Sequence, residues 1–98
     1  MTEFVKFQVL ETTTDARLLK SADALVNGFM KTQDGYIDAE LVKNEADNTW
    51  CFIYHFESPE KAKALGEKMR QSPEFRAYIA LVDPASINVT FYRQMKTW

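Results

Sequence analysis

Few residues in this chain are equipped for chemistry. His55 is the only histidine and Cys51 the only cysteine, so any imidazole or thiol step must use one of these two. Both fall in the run Trp50-Cys51-Phe52-Ile53-Tyr54-His55-Phe56-Glu57. If that run is a strand, Cys51 and His55 share a face but stand roughly 13 Å apart, too far to share a metal or to form a Cys–His pair within one chain. No metal site is therefore expected. Tyr54, Tyr78 and Arg76 offer phenols and a cation, and a buried cation beside a phenol eases loss of its proton. Against this, both tyrosines stand where core aromatics are expected, and Arg76 where a helix should face solvent. The candidate catalytic residues are thus Tyr54, Tyr78, Arg76 and His55, with His55 also read as a hydrogen-bonded residue at a subunit contact. Ser58 and Ser72 read as helix caps rather than nucleophiles. The three glycines are isolated, so they build no phosphate-binding loop. Lys61, Lys63, Lys68 and Arg70 alternate with Glu60, Glu67 and Glu74, the pattern of a solvated helix face.

Bulk properties narrow the classes further. Ninety-eight residues suit one domain, residues 1–98, with no room for a separate catalytic module. A composition that is 46% hydrophobic and 13% aromatic is that of a globular chain. A net charge of -2 with interspersed signs provides no field for a phosphate backbone, so no nucleic acid partner is expected. No apolar run approaches the length of a membrane span, and the amino terminus lacks the pattern of a secretory signal. With one cysteine and no internal disulfide, the expected location is the cytoplasm.

The elements that must position these residues follow from periodicity. Four aromatics, Trp50, Phe52, Tyr54 and Phe56, alternate along the central run and must share one covered side of a sheet. A first strand is predicted over Phe4–Leu10, with Val5, Phe7 and Val9 on one face. Thr12 to Asp15 start a helix whose apolar stripe is Leu18, Ala22, Leu25 and Phe29, stopped at Gln33-Asp34-Gly35. A strand over Tyr36–Lys43 places Ile37, Ala39 and Leu41 on one side, and Asn44 to Asn48 form a hairpin loop into the aromatic strand. Ser58-Pro59-Glu60 and Ser72-Pro73-Glu74 each start a helix, with serine as cap, proline at the first position and glutamate at the positive end of the dipole. A last strand spans Ile87–Gln94.

This order predicts an α+β fold: a ferredoxin-like βαββαβ four-stranded antiparallel sheet with helices on one face. Ile87, Val89 and Phe91 should join the aromatics under the helices. The opposite face, which includes Phe4, Leu10, Ile53 and Tyr92 among its polar residues, is too apolar to stand in water, and a two-fold partner laid on it would cover it.

The run Phe56-Glu57-Ser58-Pro59-Glu60-Lys61-Ala62, followed by Gln71-Ser72-Pro73-Glu74-Phe75-Arg76-Ala77-Tyr78 and a closing strand, resembles the antibiotic biosynthesis monooxygenase domains. The resemblance implies a homodimer whose sheets pack face to face into a dimeric α+β barrel, with a ligand pocket between sheet and helices. In the family's haem-degrading branch, a pocket asparagine, tryptophan and histidine fall where this chain has Phe7, Phe56 and Ile79, all apolar. No iron ligand is left, and no cofactor is expected. In the quinone-forming branch the tryptophan position is again Phe56, and a tyrosine position falls near Ala62. The resulting expectation is a homodimeric small-molecule-binding domain with a pocket lined by Phe7, Trp50, Phe52, Tyr54, Phe56 and Tyr78. Its ligand is a small hydrophobic or aromatic molecule. Two functions stay open at this point: a cofactor-independent monooxygenase acting on a phenol, and a non-catalytic dimeric module whose pocket is filled by its own side chains.

Overall fold

The computed structural model describes all residues from Met1 to Trp98. Its organising strand is the aromatic run: β3 (Thr49–Phe56) buries every second residue, with Trp50, Phe52, Tyr54 and Phe56 inside. The strand β1 (Thr2–Phe7) pairs with it on one side and β2 (Tyr36–Asn44) on the other, both antiparallel, and β4 (Asn88–Tyr92) pairs antiparallel with β1. The strand order β2-β3-β1-β4, with both helical crossovers on one face, is the expected ferredoxin-like sheet. The helix-facing register runs Phe7 to Trp50, Val5 to Phe52 and Glu3 to Tyr54. Directly opposed residues share a face, so Glu3 points the same way as the aromatics.

Three helices cover that face: α1 (Asp15–Gly28), α2 (Pro59–Met69) and α3 (Pro73–Ile79). Thr14 caps α1 by accepting from the Arg17 amide at 3.2 Å, and Leu18, Ala22 and Leu25 form its buried stripe. The serines behave as the sequence predicts. Ser58 Oγ accepts from the Lys61 amide at 3.2 Å, and Ser72 Oγ accepts from the Phe75 amide at 3.1 Å, each before a proline at the first helical position. The helix α1 packs on α3, and α2 lies over β2 and β3.

Four expectations need correction. The first ladder begins at Thr2 and ends at Phe7, earlier than the predicted Phe4–Leu10, because the chain turns away at Gln8. There the Gln8 amide donates to Ser86 Oγ at 2.7 Å and its carbonyl accepts from the Asp83 amide at 2.9 Å, which leaves Val9 a single bridge to Val82. Helix α1 stops at Gly28, one short 3-10 turn (Met30–Thr32) before the predicted stop signal. Gly35 instead shapes the turn into β2, with φ +89°. A β-bulge between Tyr36 and Asp38 inserts an extra residue, so Tyr36 packs on the core and Ile37 is 54% exposed rather than inside. Finally, the helices stop short of β4. Val89 and Phe91 lie on the predicted side, opposite Val5 and Glu3, yet stay 48% and 56% exposed, and Ile87 is likewise uncovered.

Candidate functional site

Because the helices leave β4 partly bare, the inner face of the sheet is hollow beside it. A cavity of about 300 Å³ lies there, floored by Val5 and Phe7 of β1, Tyr54 of β3 and Val89 and Phe91 of β4. Its roof is Met69, Phe75, Tyr78 and Ile79, and Val82 and Ile87 close one side. Two charged residues, Glu3 and Arg70, also line it. An apolar chamber with a few polar groups at one end is the usual form of a small-molecule site. A larger recess of about 770 Å³ adjoins it, sharing Glu3, Arg70 and Phe91, and is lined further by Glu57, Lys63, Arg93 and Gln94. We take the smaller hollow as the site, since the larger is a broad groove rimmed by charged side chains.

Packing fixes the cavity wall. The ring of Tyr78 meets Phe7 and Phe52 edge-on, each at 5.9 Å with interplanar angles of 83° and 71°. Tyr54 is stacked on Phe52 at 4.8 Å. Both phenols are held neutral. Burial pushes Tyr54 well above the usual tyrosine range, with Tyr78, Glu3 and Tyr36 adding to the shift, and burial alone pushes Tyr78 upward. They can donate hydrogen bonds to a ligand but are poor bases. Burial also raises the carboxyl of Glu3 above its ordinary value, with Arg70 opposing that rise. A carboxyl raised in this way is better matched to accepting a proton near neutral pH.

The structure brings together only part of the residue set expected from sequence. Phe7, Tyr54 and Tyr78 line the cavity. Phe52 and Phe56 are packed into the core beside Tyr54 rather than along the wall. Trp50 sits apart, beneath the ammonium of Lys43 at 5.2 Å and beside a separate surface depression, with its buried Nε1 lacking a partner. Arg76 is exposed on α3 and is absent from the cavity lining. His55 is on the opposite face of the sheet, where Nδ1 lies 2.5 Å from Asp38 Oδ1. Cys51 shares that face, and burial pushes its thiol up despite nearby Lys6, so it is not an activated thiolate. No three His, Cys, Asp or Glu side chains converge on one point. Sequence reasoning missed Glu3 and Arg70. The signal for Glu3 was present: carrying the Val5, Phe7 alternation back by two residues places it on the inner face.

No helix is long and apolar enough to cross a membrane. Solved structures with the same fold include Rv0793 from Mycobacterium tuberculosis, at 17% identity and TM-score 0.69 over 98% of this chain and 95% of that one. SnoaB from Streptomyces nogalater, described as a cofactor-independent oxygenase, matches at 18% identity and TM-score 0.68 over 96% and 93% of the two chains. A conserved protein from Methanosarcina mazei matches at 13% identity and TM-score 0.70 over 96% and 91%. No curated protein matches by sequence. The family described as antibiotic biosynthesis monooxygenase matches residues 2–81, which is most of the chain, and the protein belongs to that family.

Proposed function

We propose that this protein is a homodimeric small-molecule-binding domain that acts as a cofactor-independent monooxygenase on a small aromatic or phenolic compound. The observation that carries this reading is the apolar cavity of about 300 Å³ with phenols in its wall and a carboxyl and guanidinium at its end. Its size suits a compound of one to three fused rings, and its largely apolar lining shields the reacting carbon once a ligand fills the hollow. The fold shared with SnoaB, a cofactor-independent oxygenase, supports the same class of chemistry. In that chemistry an electron-rich phenol and dioxygen give a quinone and water: one oxygen atom becomes the new carbonyl, the other leaves as water, and the substrate supplies the electrons. Tyr54 and Tyr78 donate to the substrate's oxygens and hold its ring in place. The homodimer forms through the outer face of the sheet, and the single cysteine suits a cytoplasmic location.

Oxygen uptake tests the reading. With a panel of phenols and hydroquinones, at least one phenol is expected to consume one dioxygen per quinone formed, unaffected by chelators. Tyr54→Phe is expected to lower kcat/KM about tenfold, the loss of one well-placed hydrogen bond. No uptake from any member, with Tyr54→Phe binding the panel like wild type, would replace the enzyme with the second reading, a non-catalytic binding and interaction module. The packing of Phe52 and Phe56 into solid core, away from the cavity, favours that second reading.

A further inference from the structure

Glu3 is an ionisable residue on the largely apolar inner face of the sheet. The inward-facing Lys43, opposite Trp50, is already paired with Asp15 at 3.2 Å, whereas the aromatic-ligand reading alone assigns Glu3 no task. Its position is rigid, since it is laddered to Tyr54 on one side and Phe91 on the other. It lines both the apolar cavity and the adjoining recess, and so does Arg70 at the end of α2. The two do not close into an ion pair: the chain's salt bridges are Lys43–Asp15, His55–Asp38, Lys61–Asp34 and Lys61–Glu57. Because both side chains border the same hollow, a ligand group lying in it can meet carboxylate and guanidinium together. The surrounding field favours negative charge on that group. Tyr54 and Tyr78 face the cavity as neutral phenols, and the shared rim carries Lys63, Arg70 and Arg93 against one further carboxylate, Glu57, already bonded to Lys61 at 2.8 Å.

Resting on the aromatic-ligand reading, we propose that Glu3 is the proton acceptor of this site, taking the proton of an aromatic hydroxyl whose ring lies in the cavity, while Arg70 balances the oxyanion left behind. The ligand's O–H bond breaks, the proton passes to a carboxylate oxygen of Glu3, and the electron pair stays on the ligand oxygen facing the guanidinium. No oxidant or reductant takes part in this step. The preferred ligand class is consequently a neutral phenol. An aromatic acid such as 2-naphthoate would set a second carboxylate against Glu3, and a methyl ether would have no proton to give.

The probe is 2-naphthol, whose excited state gives up its proton within its lifetime to bulk water or to a carboxylate in contact but not to an apolar wall, and whose neutral and ionised forms emit at different wavelengths. It is used with the protein in large excess, so that free probe does not contribute. Bound to the wild-type protein in mildly alkaline buffer and excited to the red of tryptophan, it is expected to emit as naphtholate. In Glu3→Gln it is expected to emit as the neutral form, with an unchanged far-UV circular dichroism spectrum. The wild type should also prefer 2-naphthol over 2-methoxynaphthalene by about tenfold, a preference that Glu3→Gln removes. Should Glu3→Gln not fold, the wild type carries the test, because naphtholate emission must disappear as acid protonates Glu3. Equal emission from wild type and Glu3→Gln, emission that persists through the carboxyl range, or tighter binding of 2-naphthoate than of 2-naphthol would overturn the assignment while leaving an aromatic cavity in place. If none of the three probes binds, the aromatic-ligand reading itself falls.

Discussion

Glu3 is the residue on which the site's polarity turns, and its cost to the fold can be measured apart from any ligand. Its carboxyl is raised by burial, so the folded chain holds the proton more readily than the unfolded chain does. The associated stability is present below the unfolded carboxyl range and is lost as pH rises through the folded-state value. Glu3→Gln, which is never charged, is therefore expected to be more stable than wild type at neutral pH. Because the group is partly exposed and solvent screens it, the gain should be about 0.5 kcal/mol. Urea titrations at neutral and at acid pH check this, and the difference should close in acid. Sequence reading lost Glu3 for a physical reason: a charge next to Met1-Thr2 looks like a frayed, solvated terminus until the ladder to Tyr54 is known. Arg70 was lost because alternating charges along α2 describe the helix surface but not the residue that caps its end, and it is there that Arg70 lines the cavity.

Among the elements, the two Ser-Pro-Glu helix starts were fully legible, because cap, proline and dipole all act within four residues. The hairpin and the aromatic strand were legible for the same reason. The bulge in β2 was not. Tyr36 and Ile37 are both apolar, so period-two alternation fits either of them inside, and only pairing with Phe56 decides between them. The turn that precedes the bulge is more demanding than its composition suggests. Gly35 has φ +89°, and a Cβ there would meet Lys61 Cβ at 2.5 Å, so both backbone and neighbour exclude a side chain. Gly35→Ala is expected to cost about 1–3 kcal/mol, read as a lowered urea midpoint with an unchanged slope. It should also displace the start of α2, since Lys61 lies in its first turn.

At the scale of the whole molecule the sheet has two unequal faces. One carries the core of Phe7, Leu18, Leu25, Phe52 and their neighbours. On the other, Phe4 and Tyr92 meet edge-on at 5.3 Å, and Ile53 and Val42 add to an incompletely shielded surface. If that surface is the homodimer contact, the protein sediments at twice its 11.4 kDa at micromolar concentration. Ile53→Lys then buries an unpaired charge and yields a folded monomer with the same circular dichroism. A wild type that sediments as a monomer removes the dimer from the proposal. This face was legible as half-apolar from the sequence, whereas the shortfall of helix over β4 was not, because residue pattern reports which side a residue takes and not how far a neighbouring helix extends. That shortfall is what opens the cavity.

The two indoles of this chain occupy opposite extremes. Trp50 is 4% exposed beneath Lys43, and Trp98 is 98% exposed. A water-borne quencher such as iodide should therefore extinguish one component of the intrinsic fluorescence while sparing the other, giving a Stern–Volmer plot that bends to a plateau. The spared component reports the integrity of the sheet, and the quenched one reports whatever docks against the carboxyl-terminal tail. A single sample thus carries its own internal standard, with no label attached.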